Sequence, residues 1–191
     1  MKRMVLLISL MATLTLCASA QPYIDFHQMP WANAPTKMPD IYPAEFNLNW
    51  DNFYYVTPGL WAGGGPGFLV DPAVQHNTVA FVGGPFCVSA NVCHGSIKMV
   101  GANANANFQP ISISLTAGWA ANTLSVTAYN RSEFVGNVVW KLTTSPQLFK
   151  FPPAWTNVTE LVFAPNIIKT NLIQPLPGSM VIYSFLSVQH Q

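Results

Sequence analysis

The sequence predicts an all-β protein, a two-sheet antiparallel β-sandwich or jelly roll. The clearest observation lies between Phe108 and Asn130, where apolar residues alternate with small or polar residues on either side of a break at 120–123. Period-two alternation places one set of side chains in a core and the other toward water, so this stretch is interpreted as two strands joined in a central hairpin. A second observation is that several further short strand-like runs are separated by turn signals, and none has a convincing helical period.

The elements follow in order along the chain, each a run rich in β-branched and aromatic residues between turn-forming residues. Residues 28–45 contain four prolines and no periodicity, which predicts an irregular loop or strap. Trp119 shares the alternation of Ile113 and Leu115, so we expect it in the core. Outside the hairpin, the predicted strands are Tyr23–His27, Asn52–Val56, Asn77–Val82, Ser96–Val100, Val135–Thr143, Gln147–Phe151, Asn157–Ala164 and Met180–Val188.

Residues 1–20 have the pattern of a secretory signal peptide. Lys2 and Arg3 give a basic start, an apolar stretch follows over 4–16, and small residues at 18–20 form a cleavage site. The apolar stretch is shorter than the roughly 18 residues needed to cross a bilayer as a helix. We therefore expect a secreted, extracellular protein.

Residues 21–191 are expected to form one domain with a sizeable core. Six basic and seven acidic residues remain in this part once Lys2 and Arg3 are set aside, a net charge of −1. Such a balance offers no electrostatic footprint for nucleic acid. Residues 21–191 also contain no apolar run of transmembrane length. We therefore expect neither a nucleic-acid partner nor a membrane span.

Two cysteines, Cys87 and Cys93, remain after the signal peptide and have a C-x5-C spacing. In an oxidising compartment this predicts a disulfide, which would contribute about 2.4 kcal/mol by closing a short loop. The alternative is half of a metal site with His94, but no second group of ligands is visible in the sequence.

Several segments resemble a family of small secreted β-sandwich domains found in fungal secreted proteins and in bacterial exported proteins of the PEP-CTERM type. The segments that carry the resemblance are YIDFH, IYPAEFNLNWDNFYYV, NTVAFVGG, FQPISISLTAGWAANTLSVTAYN, PQLFKF and VTELVFAPN. The resemblance implies a galactose-binding-like or carbohydrate-binding-module-like jelly roll without enzymatic activity. It places Asp25 near the structural calcium that such domains often hold. Tyr183 and Ser184 stand where the family has an Asp-Asn pair.

Aromatic residues in the proline- and glycine-rich first third are the main functional signal. Flat rings displayed on loops can stack on sugar rings, and a ring left without sheet neighbours is best placed to do so. Trp50, inside the NLNWDNF run, is expected to be buried instead. The candidate sugar-binding residues are Trp31 and Trp61, followed by Tyr54 and Tyr55.

Other interpretations of the sequence stay open. Glu45 and Asp51 bracket a tryptophan-bearing segment, which makes them the acid and base of a secreted polysaccharide hydrolase in the alternative function. Asn130 and Asn157 begin N-x-S/T sequons and would be glycosylated in a eukaryotic source.

Taken together, these observations predict a secreted, non-catalytic binding or structural domain. Carbohydrate is the expected ligand class, with an extracellular polysaccharide or glycoprotein as the partner. A third alternative is an adhesive or structural surface protein that binds another protein. No cofactor is expected other than the structural calcium.

The disulfide gives the first testable prediction. Because the protein is expected in an oxidising compartment, Cys87 and Cys93 should form an intramolecular bond. Alkylation followed by intact-mass measurement should find no modified thiol before reduction and two after it. Two alkylated thiols before reduction would contradict the pairing.

Overall fold

A computed structural model of the chain describes residues 23–26, 28–60, 78–82, 95–99, 106–118, 121–165 and 181–190. Two short 3-10 turns lie at Ala44–Phe46 and Pro58–Leu60. The strands are β1 (Tyr23–Asp25), β2 (Thr36–Lys37), β3 (Leu48–Asp51), β4 (Phe53–Val56), β5 (Val79–Val82), β6 (Gly95–Met99), β7 (Phe108–Ala117), β8 (Asn122–Asn130), β9 (Glu133–Leu142), β10 (Gln147–Lys150), β11 (Glu160–Pro165) and β12 (Val181–His190).

The strands form two antiparallel sheets. The seven-stranded sheet has the order β10-β7-β12-β5-β4-β2, with β1 also paired to β12, and the five-stranded sheet has the order β3-β6-β11-β8-β9. Buried apolar side chains from both sheets belong to one core cluster, which includes Ile113 of the first sheet and Leu161 of the second. The predicted all-β sandwich is confirmed.

The predicted central hairpin is wrong. β7 pairs with β10 and β12 in the seven-stranded sheet, whereas β8 pairs with β9 and β11 in the five-stranded sheet. The alternation itself holds in β8, where Leu124 and Val126 are buried and the residues between them are less so, but in β7 Ser114 and Thr116, expected to face water, are buried as well. A period of two identifies a strand with one buried face, but it does not identify the strand's hydrogen-bonding partner. Trp119 lies outside the described residues, so its core position stays a prediction.

The segment 28–45, expected to be an irregular loop, contains the short strand β2, which pairs with β4, and it leads into a second unpredicted strand. β3 pairs with β6 in the five-stranded sheet, and β4 pairs with β5 in the other sheet. Asn52, expected inside a strand, separates them with a φ of 55°. Asparagine tolerates this left-handed conformation better than most residues, so the chain changes sheet within one residue.

A row of edge-to-face aromatic contacts runs through the core. Trp50 lies 5.5 Å from Phe26 and 5.1 Å from Phe53, measured between ring centroids. Phe53 in turn lies 5.8 Å from Phe163. The Phe53 ring also fills the space beside Gly95, where an added Cβ would come within 2.7 Å of it. Because Phe53 is in one sheet and Gly95 and Phe163 are in the other, these contacts join the two layers.

A second aromatic group closes the side of the sandwich where β9 and β10 end their sheets. Trp140 stacks on Phe149 with ring centroids 4.9 Å apart, and it meets Phe151 at 5.2 Å. Trp155, which is buried, lies over Gly136 so closely that a Cβ there would come within 2.6 Å of the indole nitrogen. These rings cover the apolar interior at that side.

Trp50 gives the second prediction. Trp50→Ala should lower the free energy of unfolding by roughly 3–5 kcal/mol, because it leaves a cavity between Phe26 and Phe53. Chemical denaturation monitored by circular dichroism measures the loss. Ile41→Ala, a change at a side chain that is 45% exposed, is the control and should stay within about 0.5 kcal/mol of the parent. Equal losses in the two variants would contradict the assigned core.

Candidate functional site

Trp31 lies on the strap between β1 and β2, and 75% of its surface is exposed. Its neighbours behave differently, because Met29 and Ala32 are both buried. Met29 and Ala32 therefore anchor the strap in the core, while Pro30 and the indole of Trp31 between them lie outside. The proline-rich composition of the strap predicted an exposed aromatic ring, and the indole of Trp31 is exposed in the structure.

Hydrogen bonds hold the backbone on both sides of this indole. The amide of Met29 donates to the carbonyl of Phe26 at 3.0 Å. The amide of Ala32 donates to the Thr57 hydroxyl at 3.1 Å, and the Thr57 amide donates back to the Ala32 carbonyl at 2.9 Å. The buried hydroxyls of Thr57 and Thr78 are 3.2 Å apart, which ties this pair to the start of β5.

A second exposed apolar side chain, Leu60, lies in the turn that begins after Thr57. The amide of Leu60 donates to the Thr57 carbonyl at 2.9 Å in the 3-10 turn after β4, and 46% of Leu60 is exposed. Trp31 and Leu60 thus flank the contact between Ala32 and Thr57. Trp61 follows Leu60 in sequence but lies outside the described residues.

The two tyrosines of β4 are less available to a ligand than Trp31. Tyr54 is half-buried and stacks on Phe81 with ring centroids 6.0 Å apart. Tyr55 is only 8% exposed and belongs to the core cluster. We expected its ring at the surface, and that expectation is wrong. Trp50, expected to be buried, is 2% exposed, which confirms that expectation.

Asp25, the expected calcium ligand, lies beside Tyr42. The Tyr42 hydroxyl donates to the backbone carbonyl of Asp25 at 2.6 Å. Burial, followed by the negative charges of Asp25 and Glu45, raises the pKa of Tyr42 from 10.0 to about 12. A calcium ion takes six to eight oxygen ligands. In the part of the chain that the structure describes, no three or more Asp, Glu, His or Cys side chains are grouped, so calcium stays a prediction that rests on the resemblance.

The remaining candidate residues are the two cysteines and the proposed acid and base. Cys87 and Cys93 lie outside the described residues. The proposed acid and base, Glu45 in the first 3-10 turn and Asp51 at the end of β3, are both exposed. They are placed by different elements, and the hydrolase stays an alternative prediction.

The two sequons differ in their surroundings. Asn130 is half-buried at the end of β8, where it pairs with Glu133 across a tight turn in which Arg131 has a φ of 60°. Asn157 is exposed, and its side-chain oxygen accepts a hydrogen bond from Asn107 at 3.4 Å. Thr159 of the second sequon is buried and donates its hydroxyl to the Tyr129 carbonyl.

The outward face of the five-stranded sheet carries polar and aromatic side chains that the sequence interpretation missed. Asn137 contacts two hydroxyls on the neighbouring strand, and Phe134 and Val139 are 65% and 62% exposed. The alternation of β8 could have shown which of its residues point outward. The partner strand was needed to show what lies beside them.

Within the described ranges, none of the helical turns is long and apolar enough to cross a membrane.

Comparison with known proteins supports the fold. No protein-family model and no curated protein matches the sequence. Solved structures do match, among them a DUF4465 family protein from Bacteroides ovatus with a TM-score of 0.53. That protein is 10% identical, and the match covers 91% of this chain and 95% of the other. At this identity the likeness shows a shared sandwich fold and nothing about activity.

The Tyr42 phenol gives the third prediction. Its pKa is raised in the folded state, so above pH 10 the unfolded chain binds fewer protons and stability falls until about pH 12. Below pH 10 both the folded and the unfolded chain hold the phenol proton, so the stabilisation that comes with the raised pKa is fully present. Tyr42→Phe should cost about 1 kcal/mol at neutral pH through the lost hydrogen bond to Asp25.

The two proteins should be compared by urea denaturation at several pH values. The unfolding free energy of the parent minus that of the variant should fall as the pH rises from 10 to about 12, because only the parent has a phenol that ionises. Other titrating groups are common to both proteins and cancel in the difference. A difference that stays constant across this window would contradict the assigned environment of Tyr42.

Proposed function

We propose that this protein is a secreted, non-catalytic domain that binds carbohydrate, with the indole of Trp31 as a principal contact. The observation that carries the proposal is the 75% exposure of a tryptophan on a segment that is anchored by the buried, hydrogen-bonded residues Met29 and Ala32. The carbohydrate ligand is an extracellular polysaccharide or the glycan of a glycoprotein.

The chemistry of an indole suits this role. Its flat, electron-rich face attracts the weakly positive C–H groups of a sugar ring, and its large area gains from the removal of water. Because the backbone at Met29 and Ala32 is already fixed, little conformational freedom of the strap is lost on binding. A ring on a mobile loop would lose more.

The sequence supports the rest of the proposal. Residues 1–20 have the pattern of a signal peptide, which favours secretion. Charged residues make up only 8% of the chain, so its polar surface consists mainly of uncharged groups. Such a surface favours a neutral ligand over a polyanion. The exposed Glu45 and Asp51 are not needed in a binding role.

Trp31 gives the fourth prediction. Trp31→Ala should weaken retention by a polysaccharide about tenfold or more, which corresponds to about 1.4 kcal/mol or more. The melting temperature should hardly change because the side chain is exposed. Affinity electrophoresis through gels that contain different soluble polysaccharides measures the retention.

Leu148→Ala is the matched control, since Leu148 is 57% exposed on β10 and is also a large apolar side chain. It should leave retention unchanged. A marked fall in the melting temperature of Trp31→Ala would identify Trp31 as a structural residue. Equal retention of parent and Trp31→Ala would exclude it as a sugar contact.

A further inference from the structure

An uncharged surface lies on the outer side of β8 and β9, separate from the strap of Trp31. We name it the Asn137 face. Its position follows from the burial of the intervening β8 residues, Leu124, Val126 and Ala128, which are fully enclosed and point into the core. The Asn137 face is defined by Ser125, Thr127, Tyr129, Phe134, Asn137 and Val139.

Asn137 fixes the polar part of this face. Its side-chain nitrogen donates to the hydroxyls of Ser125 and Thr127, each at 2.8 Å, and lies 3.2 Å from the carbonyl oxygen of Val126. A carbonyl can only accept, so the nitrogen must point toward β8 and the amide oxygen away from it. The two hydroxyls accept from Asn137, so their own protons can be donated outward. The face therefore presents hydroxyl donors and an amide acceptor in a fixed arrangement.

A β-bulge supplies the aromatic part. The pairing steps from Ala128 opposite Gly136 to Tyr129 opposite Phe134, which leaves Val135 as an extra residue on β9. The extra residue turns Phe134 to the outer side, where it is 65% exposed and meets Tyr129 edge to face at 6.3 Å between centroids. Bulges often re-aim a side chain beside a functional site.

The charge and shape of the face select among ligands. None of its six residues is charged, but charged residues border it: Lys141 follows Val139 on the same side of β9, and Glu160 of β11 lies opposite Tyr129. From Phe134 to Val139 the strand spans about 15 Å, enough for several sugar units in an extended chain. Polyanions find no cation in the middle of this surface, and the paired hydroxyls and amide match the vicinal hydroxyls of a neutral sugar.

We propose that the Asn137 face is a second carbohydrate site, which binds a neutral polysaccharide by stacking on Phe134 and by hydrogen bonds to Asn137, Ser125 and Thr127. The inference rests on the proposed function, since it assumes a sugar ligand. It adds a site in the other sheet and a ligand class, an uncharged polymer. Val139, which is 62% exposed, provides further apolar contact with the sugar ring.

The test compares Phe134→Ala, Asn137→Ala and Trp31→Ala by affinity electrophoresis in gels that contain galactomannan, xyloglucan or hydroxyethyl cellulose. Polygalacturonate is the acidic comparison, and Leu148→Ala is the exposed apolar control on β10. At least one neutral polymer should retard the parent protein, and polygalacturonate should not. Phe134→Ala and Asn137→Ala should each weaken that retention about fivefold, while the control stays unchanged.

The outcomes separate the two proposals. Normal retention of both Phe134→Ala and Asn137→Ala, with loss in Trp31→Ala, overturns the second site and leaves the proposed function standing. Loss in the Asn137-face variants alone supports the second site and removes Trp31 as a contact. Retardation by polygalacturonate alone overturns the neutral-ligand assignment, and no retardation by any polymer overturns both proposals. If Asn137→Ala lowers the melting temperature, the exposed Phe134 carries the test.

Discussion

The burial of Trp50 between the strap and the two sheets is the interaction on which the described structure most depends. The indole nitrogen donates to the carbonyl of Tyr42 at 2.5 Å, while the ring packs edge-on against Phe26 and Phe53. A proline-rich segment has few backbone donors of its own to hold it in place. The indole of Trp50 supplies a donor from the core to the carbonyl of Tyr42. Its contacts with Phe26 and Tyr42 therefore fix both ends of the segment that carries Trp31.

How much of this fold the sequence predicts depends on the range of the interactions involved. Alternation is local, and it identified most of the strands because one face of each is buried. Sheet membership depends on contacts between distant residues, so the crossing between β7 and β8 was mistaken for a hairpin. β3 was missed because it is only four residues long, and Asn52, where the predicted strand began, is the left-handed residue that separates β3 from β4.

The candidate sites show the same limit. The exposure of Trp31 follows from a local property, because prolines exclude regular strand pairing around it. The burial of Tyr55 does not, since β4 lies inside a sheet whose core face is set by β5 and the opposite layer. Phe134 was missed because its orientation depends on the extra residue Val135, and a bulge interrupts the alternation from which side-chain direction is inferred.

Both proposed contact surfaces are organised before a ligand arrives, although by different means. Backbone hydrogen bonds at Ala32 hold Trp31 out from the strap, and a side-chain amide locks the hydroxyls beside Asn137. Each surface alone offers one exposed ring and little area, which suits weak binding. Because a polymer presents many equivalent units, engagement of one surface raises the effective concentration of units near the other wherever the chain can reach both. Weak, preformed surfaces on one rigid sandwich therefore suit a polymeric ligand better than a single sugar.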